Sequence, residues 1–119
     1  MKMRKHKYNA KRTKYNGRTY DSKAEAEYAM NLDWKLKAGD IHYWTPQVRF
    51  QLGPDFETRV DFMVCIVDKS DGQQYWEAHE VKGRETPQFK RVRKLWDKYV
   101  PMTLVIAKKK NSGWQVERI

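Results

Sequence analysis

The apolar and polar positions of the chain follow two different periods, and the longer period predicts a helix near the start. Between Ser22 and Leu36 apolar side chains recur at helical spacing, and Ala29 and Leu32 fall on one stripe with Glu25 and Leu36. Ser22 followed three residues later by Glu25 also matches the capping-box pattern of a helix start. Glu25 is therefore predicted to be an acidic residue on the side of this helix that faces the core.

A second helix is predicted to begin at Thr86 and Pro87 and to end before Pro101. Threonine is a good N-cap, and proline is favoured at the first helical position. Basic side chains cover most of the helix surface outside its apolar stripe. That stripe is predicted to consist of Phe89, Val92, Trp96 and Tyr99.

Extended segments account for most of the remaining chain. The run Arg59–Val67 is almost continuously apolar, which is typical of a strand covered on both faces, and Asp61 interrupts it. We therefore expect a single α/β domain, residues 13–119, with a mixed central sheet flanked by helices in the order α-β-β-β-α-β-β. The other predicted strands are Gln47–Leu52, Tyr75–Lys82, Thr103–Ala107 and Trp114–Ile119.

The N-terminal segment is strongly basic. Residues 1–20 contain eight Lys or Arg and no acid, and Asn16-Gly17 predicts a two-residue turn in a short hairpin from Thr13 to Tyr20. Residues 1–12 are predicted to form a flexible basic arm that favours phosphate. A solvated terminus without contacts is the alternative.

Composition points to a polyanionic partner. The 119 residues suit one domain, and 25 Lys and Arg against 15 Asp and Glu give a net charge of +10. Nucleic acid is the commonest partner of such a charge, although a merely soluble basic protein remains the alternative. The single Cys65 is predicted to be a buried packing residue. No membrane span or signal peptide is visible in the sequence, so we expect a soluble cytoplasmic protein.

An acidic site is predicted where two strands face each other. Glu80 and Lys82 lie two residues apart on one strand and therefore share a face. If Val67 pairs with Gln74, Asp61 lies directly opposite Glu80, with Cβ atoms about 5 Å apart. A register shifted by two residues would separate the pair.

Carboxylates this close need a cation or a proton between them. Oxygen ligands suit Mg²⁺ or Mn²⁺, and Lys82 beside such an ion could neutralise charge that develops on a phosphate. Two structural alternatives remain open. Asp61 could form a salt bridge to Lys82 or Arg59, and Glu25 could simply cap its helix.

Three segments together resemble the PD-(D/E)XK nuclease superfamily. Arg59–Phe62 resembles its first acidic strand, and His79–Gly83 resembles its E-x-K strand. Gly17–Ala26 is similar to the G-x-x-[FY]-D-S-K-x-E-A signature of the small endonuclease I-like proteins of phages. The resemblance covers Tyr15–Ala107, and Val60 stands where the superfamily name implies proline.

The resemblance implies a restriction-endonuclease-like fold and a role for each residue of the acidic site. Lys82 would be the catalytic lysine, and Gln47 would lie near the site. The implied ligands of Mg²⁺ or Mn²⁺ are Asp61, Glu80, the main-chain carbonyl of Val81, and Glu25.

The resemblance also implies an activity and a partner. It suggests a metal-dependent endonuclease selective for DNA structure, similar to the Holliday-junction resolvases. Such a protein would act on branched or four-way DNA as a homodimer, in the host cytoplasm if a phage encodes it. A less selective DNase or nicking enzyme and a non-catalytic nucleic-acid-binding protein are the alternatives. Basic residues of the arm, the hairpin and the second helix are predicted to contact the DNA backbone: Lys5, Lys7, Lys11, Arg12, Lys14, Arg18, Lys90, Arg91, Arg93 and Lys94.

Overall fold

Residues 11–119 of the computed structural model can be described, and they form two helices and seven strands. Most of the predicted basic arm, including Lys5 and Lys7, lies outside these residues. In chain order the elements are β1 (Thr13–Tyr15), β2 (Arg18–Tyr20), α1 (Lys23–Ala38), β3 (Ile41–Gln51), β4 (Glu57–Val67), β5 (Gln74–Val81), α2 (Pro87–Tyr99), β6 (Thr103–Lys110) and β7 (Gly113–Arg118).

The main sheet has five strands in the order β3-β4-β5-β6-β7, and the predicted α/β class is confirmed. Neighbouring strands are antiparallel except β5 and β6, which are parallel and are joined through α2. The helices cover opposite faces of the sheet. Phe62 and Val64 belong to the apolar cluster that contains α1, whereas Met63 and Ala78 belong to the cluster that contains α2.

The first helix begins as predicted, but its buried stripe is shorter than the sequence predicts. The Ser22 side chain accepts a hydrogen bond from the Glu25 main-chain N–H (3.1 Å), and Gly39 ends the helix in the left-handed conformation (φ 81°). Leu36 was predicted to be buried, but it is 40% exposed. The buried residues of α1 end at Leu32, and the last turn carries its apolar side chain into solvent.

The hairpin and the second helix follow the sequence prediction closely. Asn16 and Gly17 both have positive φ (49° and 83°) and connect β1 to β2, as expected for this turn. The Thr86 side chain accepts from the Phe89 main-chain N–H (3.1 Å), and Pro87 opens α2. Tyr99 is the exception in the predicted apolar stripe, because it is largely exposed.

Strand β3 starts six residues before the predicted Gln47, at Ile41. It pairs only with β4 and is therefore an edge strand of the sheet. Pro46 lies within it, which an edge strand tolerates because one side of the strand makes no ladder hydrogen bonds. The predicted start at Gln47 was therefore too late.

The predicted register of β4 and β5 is confirmed. Val67 pairs with Gln74, and the same register continues to Phe62 opposite His79. Continued by one more pair, this register places Asp61 directly opposite Glu80. Cys65, between these positions, is buried as expected.

In the described part of the chain, neither helix is both long and apolar enough to cross a membrane.

Candidate active site

Asp61 and Glu80 lie on neighbouring strands, and the carboxylate of each accepts a hydrogen bond from the main chain of the other strand. The Asp61 main-chain N–H donates to Oε1 of Glu80 (3.0 Å), and the Val81 main-chain N–H donates to Oδ2 of Asp61 (2.8 Å). Each carboxylate is thus fixed by the backbone of the opposite strand. Glu80 is only 5% exposed, so this reciprocal pair lies inside the protein.

The regular alternation of β4 breaks at Asp61. Val60 packs in the cluster that contains α2, whereas Phe62, two residues later, packs in the cluster that contains α1. In the register of β3 and β4, the residue opposite Asp61 is Gln47, whose φ is 59°. A non-glycine residue in this conformation costs about 1–3 kcal/mol, and such strain clusters at functional sites. The irregularity lets Asp61 meet side chains from both faces of the sheet.

Glu25 approaches the same site from the first turn of α1. Only half of the predicted capping box forms. The carboxylate of Glu25 accepts a hydrogen bond from the Ser22 hydroxyl (Oε2 to Oγ, 3.3 Å) and not from the Ser22 main-chain N–H. Its other oxygen, Oε1, is buried and accepts no hydrogen bond from residues 11–119. The carboxyl of Asp61 is close enough to raise the pKa of Glu25 by both charge and hydrogen bonding.

Burial raises the pKa values of all three carboxyl groups. Burial, followed by the negative charge of Asp61, raises the pKa of Glu25 to about 8. Burial and then the charge of Glu80 raise the pKa of Asp61 well above its ordinary value. Burial also raises the pKa of Glu80, although Lys82 acts in the opposite direction. The residue Asp61 as a whole is half-buried, but its carboxyl group points inward and loses its hydration. Without a cation, this cluster therefore binds protons more readily than exposed carboxylates do.

Lys82 lies beside the pair, as the sequence predicted. Its Nζ is 3.5 Å from Oε2 of Glu80 and 4.5 Å from the ring centre of Phe89. A cleft of about 270 Å³ opens next to these groups and supplies room for a ligand above the two side chains. The cleft is lined by Glu57, Thr58, Arg59, Glu80, Lys82, Thr86, Gln88, Phe89 and Val92.

The salt bridges considered for Asp61 are not formed. Arg59 pairs with Asp21 (3.9 Å), and Lys82 pairs with Glu80. Within residues 11–119, no Lys or Arg lies within ion-pair distance of Asp61. Burial and the charge of Glu80 raise the pKa of Asp61, and the Val81 N–H and the charge of Lys82 act in the opposite direction.

The donor chemistry fits a divalent cation. Carboxylate and carbonyl oxygens are the ligands of hard ions, and the unpartnered Oε1 of Glu25 is an atom that such an ion would satisfy. The geometry is less complete: across the described range, no group of three or more His, Cys, Asp or Glu side chains is arranged to hold an ion. Asp61 and Glu80 would keep their main-chain bonds while their remaining oxygens turned toward the cation.

The described residues that were predicted to contact DNA are exposed cations, except for one that already forms ion pairs within the protein. Arg93 is held by Glu85 (3.3 Å) and by Glu117 (2.8 Å), so its guanidinium is committed to the protein. Arg91 lies 4.3 Å from the ring centre of Phe56 and is exposed. The remaining described members of the set are all exposed: Lys11, Arg12, Lys14, Arg18, Lys90 and Lys94.

Sequence reasoning missed a second buried polar cluster on β5. The Tyr28 hydroxyl is 2.6 Å from Nδ1 of His79, and Nε2 of His79 is 3.0 Å from Glu77. Arg118 reaches Glu77 from β7 (3.3 Å). The only indication in the sequence was that Glu77 and His79 are polar residues, and they lie on a strand that is covered on both faces.

The fold and the site together define a small mixed α/β protein with a buried acidic cluster where α1, β4 and β5 meet. A family model described as "Protein of unknown function (DUF1064)" matches residues 5–113, and the chain belongs to that family. No curated protein and no solved structure matches the chain.

Proposed function

We propose that this protein is a divalent-metal-dependent endonuclease that hydrolyses phosphodiester bonds in DNA. The observation that carries the proposal is the reciprocal bonding of Asp61 and Glu80, with Glu25 and Lys82 beside them. Titratable groups with strongly perturbed pKa values that meet beside a cleft are typical of catalytic sites. The resemblance of the three segments to PD-(D/E)XK nucleases supports the same conclusion.

Each residue of the cluster has a distinct task in this proposal. Asp61, Glu80 and the Val81 carbonyl would hold Mg²⁺ or Mn²⁺, with Glu25 completing the set. When bound, the ion would polarise the phosphoryl group and supply a nucleophile at neutral pH. Lys82 would neutralise negative charge that develops on the phosphate, because its ammonium group already lies at the mouth of the cleft.

Branched DNA is the substrate that we propose. The exposed cations on the hairpin and on α2 suit contacts with phosphates, which position DNA without reading its sequence. An enzyme that binds mainly backbones discriminates by shape, and a four-way junction brings several backbones together. We further propose that the protein works in the cytoplasm as a homodimer, so that two sites cut two strands.

A non-catalytic nucleic-acid-binding protein is the second candidate. One observation favours it: the His, Cys, Asp and Glu side chains of residues 11–119 form no ready ion site. In that case the acidic cluster would be structural and would stay protonated.

A cleavage assay separates the candidates. Labelled four-way junction, duplex and single-stranded DNA of matched sequence would be incubated with Mg²⁺, with Mn²⁺ or with a chelator. We expect metal-dependent cutting, strongest on the junction, in the wild-type protein and in Glu57→Gln. Glu57 is a suitable control because it is an exposed acid that lines the same cleft and pairs with Arg49.

The other outcomes are equally informative. Equal cutting of all three substrates would replace the resolvase with a less selective DNase. Binding to DNA without cutting by any divalent ion would leave the non-catalytic protein. Cutting that persists in Glu80→Gln would show that the activity does not belong to this site.

A further inference from the structure

A second concave surface lies on the other side of α1, away from the acidic cluster. Between the β1–β2 hairpin and the last turns of α1 is a groove of about 570 Å³. Trp34 is 63% exposed, the largest exposed fraction among the large apolar side chains of residues 11–119. The groove is lined by Tyr15, Asn16, Asp33, Trp34, Leu36 and Lys37.

Asp33 gives this groove a fixed shape. Its Oδ2 accepts from the Tyr15 hydroxyl (2.5 Å), and its Oδ1 accepts from Nε1 of Trp44 (2.9 Å). This side chain therefore ties the hairpin to α1 and β3. The carboxylate of Asp33, the acid among the lining residues, is therefore held in place by hydrogen bonds to both of its oxygens.

The rim of the groove is cationic. Lys37 lies in the lining, and Arg18 is the cross-strand partner of Tyr15. Lys14 precedes Tyr15 on the hairpin. All three are exposed, and within the described part of the chain none has a carboxylate at ion-pair distance. An exposed indole with a lysine beside it in the groove and further exposed cations on the adjoining hairpin is a combination that suits single-stranded nucleic acid, since bases stack on aromatic rings and phosphates track positive charge.

We infer that this groove binds an unpaired nucleotide of a nucleic-acid strand, with its base stacked on Trp34 and its phosphates facing the cations of the rim. The inference rests on the proposed function only in taking nucleic acid as the ligand. A second copy that placed its own groove against this one would fit less well, because Lys37 lines the groove in both copies and the like charges would repel.

The position of the groove separates its role from that of the acidic cluster. Trp34 lies nine residues after Glu25, about 14 Å along the helix and half a turn around it. The nucleotide held there is therefore not the one whose phosphodiester bond would be cut. Such a site makes the protein prefer strands that expose unpaired bases, as branch points and strand ends do.

The test measures binding in the absence of divalent ions, so that cutting does not contribute. Labelled oligothymidylate of about 12 nucleotides, an oligouridylate of the same length and a matched duplex would be titrated against wild type, Trp34→Ala and Trp34→Phe. Trp76→Ala is the matched control, because Trp76 is also an exposed tryptophan but lies on β5. Thermal unfolding would verify that each variant is folded.

We expect Trp34→Ala to bind single strands about ten-fold more weakly, and Trp34→Phe to retain most of the affinity. Duplex affinity and the affinity of Trp76→Ala should remain near wild type. The DNA and RNA oligonucleotides show which kind of strand is preferred, and a loss with either one supports the inference. Unchanged single-strand affinity in Trp34→Ala overturns it, and so does an equal loss for duplex. Reduced self-association with unchanged single-strand affinity would assign the groove to a second copy.

The outcome is independent of catalysis. If Trp34→Ala loses single-strand affinity while no protein cuts DNA, the groove stands and the nuclease proposal falls. If cutting depends on metal and on Glu80 while Trp34→Ala binds normally, the nuclease stands and the groove proposal falls.

Discussion

Strand β5 carries two sets of buried polar groups, and they are stabilised in opposite ways. In the first set, Glu77 and His79 are connected to Tyr28 and Arg118. Burial acts to raise the pKa of Glu77, but the hydrogen bond from His79 and the charge of Arg118 outweigh it, and the pKa is lowered. Burial lowers the pKa of His79, although the hydrogen bond with Glu77 acts in the opposite direction. All the partners that these groups need come from the protein.

The second set lacks such partners. Glu80 and Asp61 receive main-chain hydrogen bonds, yet the pKa values of both carboxyl groups are raised, as is that of Glu25. One oxygen of Glu25 has no donor among the described residues. Two sets on one strand thus differ in whether folding alone satisfies them. The first set, whose partners all come from the protein, is called the satisfied set, and a role in stability explains it. The second set, formed by Asp61, Glu80 and Glu25, is called the unsatisfied set, and it fits the proposed ligand, which folding does not supply.

The largest expected effect comes from neutralising the unsatisfied set. Asp61→Asn and Glu80→Gln should each lower the cleavage rate by about 10²-fold or more, because a ligand of the proposed ion is lost. Asp61→Asn should fold at least as stably as wild type, since its amide oxygen still accepts from Val81 and repulsion with Glu80 is removed. Single-turnover cleavage of a four-way junction and thermal unfolding would measure both effects.

Glu57→Gln serves as the control for this experiment. If Asp61→Asn cut at the wild-type rate, or unfolded far more easily than wild type, the contrast between the two sets would be wrong.

The satisfied set should respond in stability. Glu77→Gln should lower the free energy of unfolding by about 1–2 kcal/mol, because it weakens the buried hydrogen bond with His79 and the ion pair with Arg118, whose side chain is 57% exposed. The folded fraction should cut DNA at the wild-type rate. Urea unfolding would measure the loss, with the exposed Asp97→Asn as a control. A change below about 0.5 kcal/mol would remove the network from the structural account.

The pH dependence of stability should come mainly from the unsatisfied set. Since the pKa of Glu25 rises from 4.5 to about 8 on folding, the folded state binds more protons than the unfolded chain between these values. Its contribution to stability is therefore lost as the pH rises from 4.5 through about 8. Thermal unfolding across this range, without divalent ions, should show a falling midpoint in wild type and a flatter profile in Glu25→Gln.

Added Mg²⁺ sharpens this test. It should restore stability mainly at the alkaline end, where the carboxylates are ionised and able to bind a cation. Identical profiles for wild type and Glu25→Gln would contradict the assignment of the raised pKa to Glu25.

The smallest expected effect concerns surface cations. They too differ in whether the protein itself supplies their partners. Lys94→Ala should reduce the slope of log affinity for DNA against log salt by about 1, as expected for one phosphate contact. Arg93→Ala should leave the slope unchanged and lower stability slightly, because Arg93 already pairs with Glu85 and Glu117. Fluorescence anisotropy at several salt concentrations would compare the two variants. An equal change of slope in both would show that Arg93 leaves its partners to bind DNA.

Local chemistry explains what could be predicted from the sequence. Asn16-Gly17 tolerates the positive φ values that its turn requires, and Thr86-Pro87 marks a helix start by an N-cap followed by proline. The loop of six residues between Val67 and Gln74 fixed the register that brings Asp61 to Glu80. These features depend on residues that are close in sequence or on a single strand pairing.

The features that sequence reasoning missed depend on distant elements. Tyr28 and His79 meet because α1 packs on β5, and nothing near either residue in the sequence indicates the other. Leu36 has the spacing of a buried residue, but the helix extends beyond the surface that would cover it. The partners of Arg93 come from a loop and from β7, so its charge could be counted but its availability could not be predicted.

The two borders of the main sheet are chemically unequal. Along β3, Pro46 has no N–H and Gln47 turns out of the extended conformation, so this border is a poor template for another strand. The border formed by β7 runs from Gly113 to Arg118 with no proline. If two copies of the chain join by extending the sheet, β7 is the described border that suits the pairing, and the result would be a continuous sheet of ten strands.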